Sequence, residues 1–263
     1  MSGAFYLPVG DGVLRSTART AGPWSERSQH LGPPSALLVR ALERCAPREG
    51  TVLSRVAFDV LGPVPVAELT VRAEVLRPGR SVELLSAELA HEGRPVLRAS
   101  AWRISGADTS EVATPAGPPL PPPRECGPME IPPAWSGGYL GSVEWRSVSG
   151  GVFRPGDAVV WARASADLVE GEEMTPLQRL FSVVDSASGV SSRLDIGSWY
   201  VINTDLVVHL HRQPRGEWTA LDASTAIGAD GVGLATSTVH DASGPVGRSA
   251  QSLFVRERGP ATP

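Results

Sequence analysis

Glu92-Gly93-Arg94-Pro95 leads into Val96-Leu97-Arg98-Ala99-Ser100-Ala101, and near the end of the chain Asp241-Ala242-Ser243-Gly244-Pro245 leads into Val246-Gly247-Arg248-Ser249-Ala250-Gln251. A polar turn carrying Gly, a Pro and then a strand-like run thus occurs twice in the same order. Upstream of each, the corner Leu61-Gly62-Pro63 is matched by Arg212-Gln213-Pro214. Further upstream each copy carries one helix. The first follows Pro33-Pro34 and gathers Leu37, Leu38, Ala41, Leu42 and Cys45 on one broad face. The second follows Thr175-Pro176, with Leu177, Leu180, Phe181 and Val184 spaced i, i+3, i+4, i+7. Proline in the first helical turn costs no hydrogen bond there and suits both starts. Before each helix lie strand candidates, Ala4 to Val9 and Gly12 to Thr20 in one copy, Ser142 to Val148 and Ala158 to Ala166 in the other. A repeat of this length exceeds solenoid periods and implies two copies of a domain-sized unit.

Between the copies runs a stretch from Thr114 to Ala134 with prolines at 115, 118, 119, 121, 122, 123, 128, 132 and 133. So many missing N–H groups make regular helix or ladder pairing there nearly impossible, and the stretch reads as a semi-rigid connector. The expected organisation is residues 1–112, a linker 113–135, and residues 136–258. One apolar helix followed by several antiparallel strands predicts an α+β layer in each half, the helix wrapped by a curved sheet. One half alone has a small core and open sheet edges. Two halves side by side would cover them.

Composition narrows the function. The chain of 263 residues has 41% hydrophobic and 20% charged residues with seven Trp, enough for a real core. Net charge is −4, and all 24 basic residues are scattered arginines, with no lysine. We read that as coding bias; without a basic patch no nucleic-acid partner is expected. Met1 to Leu7 lacks the features of a signal peptide, and no apolar run approaches the roughly 20 residues of a membrane span. A soluble, cytoplasmic protein is expected. Cys45 and Cys126 share no metal-ligand spacing, and nothing else suggests a disulfide framework. There is no G-x-S-x-G elbow, no P-loop and no G-x-G-x-x-G.

A catalytic residue should break the symmetry between copies. Gln251 stands where the first copy has Ala101, Thr225 near Val75, and Asp205 near Ser54 or Arg55. The second half, through Asn203-Thr204-Asp205-Leu206-Val207-Val208-His209-Leu210-His211-Arg212, Glu217-Trp218, Asp222-Ala223-Ser224-Thr225 and Gly247-Arg248-Ser249-Ala250-Gln251, resembles the hotdog-fold acyl-CoA thioesterases of the bacterial type II and peroxisomal kind. The resemblance implies a tandem hotdog and hydrolysis of an acyl-CoA or related thioester, with no cofactor and a homo-oligomeric assembly. It also implies an Asp, a Ser or Thr, and a Gln around the attacking water. Carried over by position, these are Asp205, Thr225 and Gln251, with Ser224 the alternative hydroxyl. A carboxylate can deprotonate water, a hydroxyl can share it and an amide can orient it. The oxyanion needs separate donors, and the start of the first helix at Gly32 is the candidate, because helix amino ends carry free N–H groups.

Asp185 is the rival carboxylate, since other hotdog thioesterases place an acid on this helix. It directly follows the apolar stripe, and a supporting role at the substrate site is expected of it. His209 and His211 share a strand face with Asp205, but their surroundings read as an ordinary strand, and no metal is assigned. His30-Leu31-Gly32-Pro33 reads as a turn leading into the helix. Two other functions stay open: a non-catalytic acyl-binding protein on the same fold, and a hydratase or dehydratase, which would require a positioned His.

Overall fold

The structure, a computed structural model, describes residues 3–259 except 11, 24 and 153. Met1 and Ser2, the start of the segment read above for a signal peptide, lie outside these. The first half comprises β1 (Ala4–Gly10), β2 (Val13–Ser16), a short ribbon of β3 (Ala21–Gly22) and β4 (Ser25–Gln29), α1 (Gly32–Arg44), β5 (Thr51–Val60), β6 (Glu68–Arg77), β7 (Val82–His91) and β8 (Arg94–Ser105). Within the connector lies β9 (Gly127–Pro128), and after it come β10 (Val143–Gly151), β11 (Arg154–Ala164), β12 (Asp167–Val169), α2 (Pro176–Val184), α3 (Ala187–Val190), β13 (Trp199–Asn203), β14 (Asp205–Leu210), β15 (Thr219–Ile227), β16 (Val232–Asp241) and β17 (Gly244–Glu257). The anticipated second strand is shorter than expected: Thr17 caps a 3-10 turn over Ala18–Thr20, and the strand ends at Ser16.

Apart from the β3–β4 ribbon, all strands join one sheet, and its order shows the repeat. Outward from the centre, the first half runs β5-β8-β7-β6-β2-β1 and the second β14-β17-β16-β15-β11-β10. The halves join where β5 and β14 pair antiparallel, Phe58 opposite Leu206 and Val56 opposite Val208. At the far edge, β1 pairs parallel with β12 through Ala4–Asp167 and Tyr6–Val169. The joins hide strand edges that a single half would leave open.

Both helices lie inside the curve of the sheet. Leu37, Leu38 and Leu42 of α1 and Leu180, Phe181 and Val184 of α2 have no accessible surface, and one cluster of apolar side chains runs through both halves. The helices are antiparallel and touch at both ends. At one end Glu43 of α1 accepts hydrogen bonds from Thr175 and Gln178 at the start of α2. At the other, Gly32 packs on the Ser182 carbonyl of α2. The connector departs from the expectation in forming short 3-10 turns at Pro123–Glu125 and Pro133–Trp135 and a two-residue ladder of Gly127 and Pro128 with β10. Leu120 and Cys126 lie on the outer face of the second half's sheet with Trp161, whose indole N–H donates to the Pro121 carbonyl at 2.8 Å, while Met129 and Ile131 pack against the main core. Cys45 and Cys126 are unpaired. Among the described residues no helix is long and apolar enough to cross a membrane.

Candidate active site

The end of α2 defines the site. Thr175 caps the helix by accepting the Gln178 N–H at 3.1 Å, Pro176 occupies its first turn, and its apolar stripe is buried in the core. The helix stops at Val184. Ser186 N–H bonds the Val183 carbonyl, a tight i→i+3 turn, before α3 begins. Asp185 occupies that turn and is buried. Its Oδ1 accepts two amide hydrogen bonds, from Asn203 Nδ2 and Gln251 Nε2, each at 2.9 Å. Leu31 N–H, from the start of α1 in the other half, is a further donor to the carboxyl. Burial outweighs these donors and raises the Asp185 pKa to about 7.

Gln251 is tied at both ends of its amide. Nε2 also donates to the Asp185 carbonyl at 3.1 Å, and Oε1 accepts the Ser188 N–H at 3.2 Å. It is fully buried, so each of these bonds offsets a desolvation cost. Thr225 belongs to the same inner face. Thr225, Ala235 and Gln251 are register partners across β15, β16 and β17, which places Thr225 two strands, about 10 Å, from Gln251. The Thr225 hydroxyl lies 2.7 Å from that of Ser191, just after α3. In the first half the corresponding partners are Val75, Leu85 and Ala101, all apolar.

His30 completes the cluster. Its Nδ1 is 3.4 Å from Asp185 Oδ2, a separation compatible with an ion pair. The charges argue otherwise: burial lowers the His30 pKa to about 3 while it raises that of Asp185. Nδ1 also accepts the Gly32 N–H at 3.0 Å, which needs its lone pair. We therefore treat His30 as neutral, with its remaining proton on Nε2. Its ring stacks on Tyr139, centroids 3.8 Å apart, and the Tyr139 hydroxyl donates to the Ser182 carbonyl at 2.8 Å, near the end of α2.

The expected convergence of Asp205 with Thr225 and Gln251 does not occur. Leu206 and Val208 face the core, so Asp205 projects from the opposite side of β14. There its carboxylate accepts the Ser252 N–H at 2.6 Å and the Ser252 hydroxyl at 3.2 Å. The carboxylate gathered with Gln251 is Asp185. Gly32 is at the site, but its N–H is taken by His30. Ser224 is exposed, on the face opposite Thr225. His30, Asn203, Ser188 and Ser191 were not singled out from the sequence as site residues. The leading turn His30-Leu31-Gly32 and the motif residue Asn203 were visible signals. Ser188 and Ser191 gave none.

The fold is that of two joined hotdog halves, and the family models place it in the thioester hydrolase class. The model of the acyl-CoA thioesterase N-terminal domain matches residues 20–104 and that of the acyl-CoA thioesterase C-terminal domain matches residues 123–255. The chain therefore belongs to the acyl-CoA thioesterase family. No curated protein matches it. Among solved structures, a hot dog fold protein of unknown function from Alicyclobacillus acidocaldarius is similar at 16% identity and TM-score 0.73, covering 97% of this chain and 96% of that one. The acyl-CoA thioesterase II TesB2 of Mycobacterium marinum is similar at 14% identity and TM-score 0.66, covering 98% and 97%. The tesB protein of Mycobacterium avium subs. paratuberculosis is similar at 16% identity and TM-score 0.67, covering 95% and 96%. At such identities these likenesses speak for the fold.

Proposed function

We propose that the protein hydrolyses an acyl-CoA thioester by a water activated at Asp185, with Gln251 and Thr225 as the polar groups around it. The observation that carries this reading is a buried carboxyl with a pKa raised to about 7, accepting the amides of Gln251 and Asn203. A base of that strength is half ionised near neutrality, where a general base works best. Both amides approach Oδ1, which leaves Oδ2 the better placed oxygen to take a proton from water. Attack on the thioester carbonyl forms the C–O bond, and collapse of the tetrahedral adduct expels the thiolate, which takes up the proton held at Asp185. Gln251 holds the carboxyl by one donated bond to Oδ1 and anchors it by a second to the Asp185 main-chain carbonyl. Thr225 and Ser191 form a hydroxyl pair that can turn a proton donor toward the site. The amino end of α1 has no N–H left to donate to an oxyanion. That of Gly32 goes to His30, that of Leu31 to Asp185 and that of Ser35 to the Leu31 carbonyl, and Pro33 and Pro34 have none. What this end offers the cluster is the helix dipole.

Neutral His30 beside the carboxyl does not favour a hydratase, because a base with a pKa of about 3 is too weak to abstract a proton at neutral pH. Cytoplasmic location and assembly with further copies of the chain are part of the same proposal; sedimentation of the purified protein tests the second. The direct test is release of free thiol from a panel of acyl-CoAs. Asp185→Asn should lower kcat by roughly 10²–10⁴, while Asp205→Asn stays within about twofold of wild type, since its partner Ser252 faces away from the cluster. Equal loss in both variants would sink the assignment.

A further inference from the structure

The symmetry of the halves breaks a second time beside the Asp185 cluster, on the inner face of β16 and β17. Next along that face from the pair Ala235–Gln251 comes the register pair Gly233–Leu253. Its counterpart in the first half, next to Leu85–Ala101, is Glu83–Arg103. Those two side chains form a buried ion pair: Arg103 Nε and Nη2 donate to one Glu83 oxygen at 2.8 and 2.6 Å, and Nη1 donates to the Cys45 carbonyl. The place is thus filled and polar in the first half. In the second half it has no side chain on one strand and an aliphatic one on the other. Leu253, Val255 and Ala235 form an apolar cluster of their own there, apart from the main core. It begins at the site, since Ala235 lies in register between Thr225 and Gln251, and Leu253 lies opposite Asn203.

The roof over this strip also has no equal in the first half. Residues 45–50 join α1 to β5, whereas residues 185–198 join α2 to β13. Leu194 of the longer segment packs on the cluster together with Trp199 and Val201 of β13, and it is only half-buried. The segment is pinned on either side of Leu194. Arg193 donates to the Thr225 carbonyl at 2.9 Å and pairs with Asp157, and the Ser198 carbonyl accepts the Arg258 N–H at 2.8 Å. We propose that the acyl chain of the substrate lies along this strip, running from the Asp185 cluster past Leu253 to Val255 and displacing Leu194 from above. The ligand's identity as a thioester rests on the hydrolysis proposed above; the strip's preference for an alkyl chain rests on its own residues. From Gln251 to Val255 the strand advances about 13 Å, the length of an extended chain of about ten carbons. The preferred class is therefore a linear, uncharged acyl group of medium length, since a charged one would lose its hydration against aliphatic walls.

The experiment titrates non-hydrolysable S-alkyl-CoA thioethers, from ethyl to dodecyl, into the full-length chain by isothermal calorimetry, with thiol release from the matching acyl-CoAs measured alongside. Affinity should rise with length to about ten carbons, S-decyl-CoA binding roughly 30-fold or more tightly than S-ethyl-CoA as methylenes leave water. A side chain at Gly233 would lie against Leu253 and Val255. Gly233→Leu should accordingly weaken S-decyl-CoA roughly tenfold and leave S-ethyl-CoA within about twofold, because it fills the strip and spares the rest of the site. Leu194→Ala should do the reverse and raise the decyl-to-ethyl preference about threefold, because the chain no longer has a side chain to displace. It carries the test by itself if Gly233→Leu unfolds, as judged by thermal denaturation. Asp185→Asn should keep the decyl preference even where it loses turnover. Equal binding of the two thioethers by wild type, or a preference unmoved in every folded strip variant, would overturn the proposal. Failure of the hydrolysis reading looks different: no thiol leaves any acyl-CoA, while the decyl preference and its response to these substitutions persist and support the strip.

Discussion

Asp185 is costly to bury as an anion, and that cost is what would prepare it for the proposed base chemistry. Its ionised form must dominate for water activation. Rate therefore follows the ionised fraction: kcat/KM should fall about tenfold per pH unit below about 7 and level off above it. His30, with a pKa of about 3, adds no limb in that range. A pH–rate profile flat from 5 to 8 would remove Asp185 from the mechanism. Stability carries the opposite signature. A carboxyl whose folded pKa is raised binds its proton more tightly in the native state, so its contribution is full below the unfolded value near 4 and is lost as pH rises to about 7. Asp185→Asn removes this dependence. The melting temperature of the variant relative to wild type should accordingly rise between pH 4 and pH 8, as read by thermal denaturation at several pH values. His30 works in the other direction between 3 and 6.5, because its native form resists the proton, so the comparison of variant with wild type isolates Asp185.

At the scale of elements, the crossing of α1 and α2 decides whether the site exists. A methyl group on Gly32 would collide with the Ser182 carbonyl and stand 3.2 Å from the Tyr139 ring. The obstacle is backbone, so it cannot swing aside as a side chain can. Gly32→Ala should cost about 1–3 kcal/mol of stability, the usual range for overpacking. It should also depress turnover more than stability alone explains, because Ser182 belongs to the helix that ends in Asp185. Wild-type turnover in a destabilised variant would separate the helix crossing from the chemistry. The elements themselves were readable from the sequence, since apolar spacing and the Pro starts marked both helices, and the turn-plus-strand repeat aligned Gln251 with Ala101 and Thr225 with Val75. The expected meeting of Asp205 with Thr225 and Gln251 fails in the structure for a reason the sequence also contained. Leu206, Val208 and Leu210 alternate toward the core, so Asp205 had to face outward with Val207 and His209. Symmetry breaking drew attention to Asp205, but strand parity turns it away from the face that carries Gln251. The gathering of Asp185 with His30 and Leu31 depends on two distant helices meeting end to end, which local pattern does not encode.

At the scale of the whole molecule, the site in the second half is unfinished without the first. Leu31 N–H and His30 reach Asp185 from the leading turn of α1, and Gly32 seats the end of α2. The central edge strand β14 has its other neighbour, β5, in the first half. Residues 136–258 alone would present an open β14 edge and the uncovered inner face of α2, surfaces that pair with other chains. Expressed by themselves they should aggregate or self-associate, and any soluble fraction should show no thioester hydrolysis. Co-expression with residues 1–112 should restore both solubility and turnover, because the β5–β14 pairing and the α1 contacts need no covalent link. Size-exclusion chromatography and thiol release on the two preparations make the comparison. A monomeric, cooperatively unfolding and active second half would show that neither the sheet edge nor the α1 turn is required. It would end both the tandem dependence and the assignment of Asp185's environment to two halves.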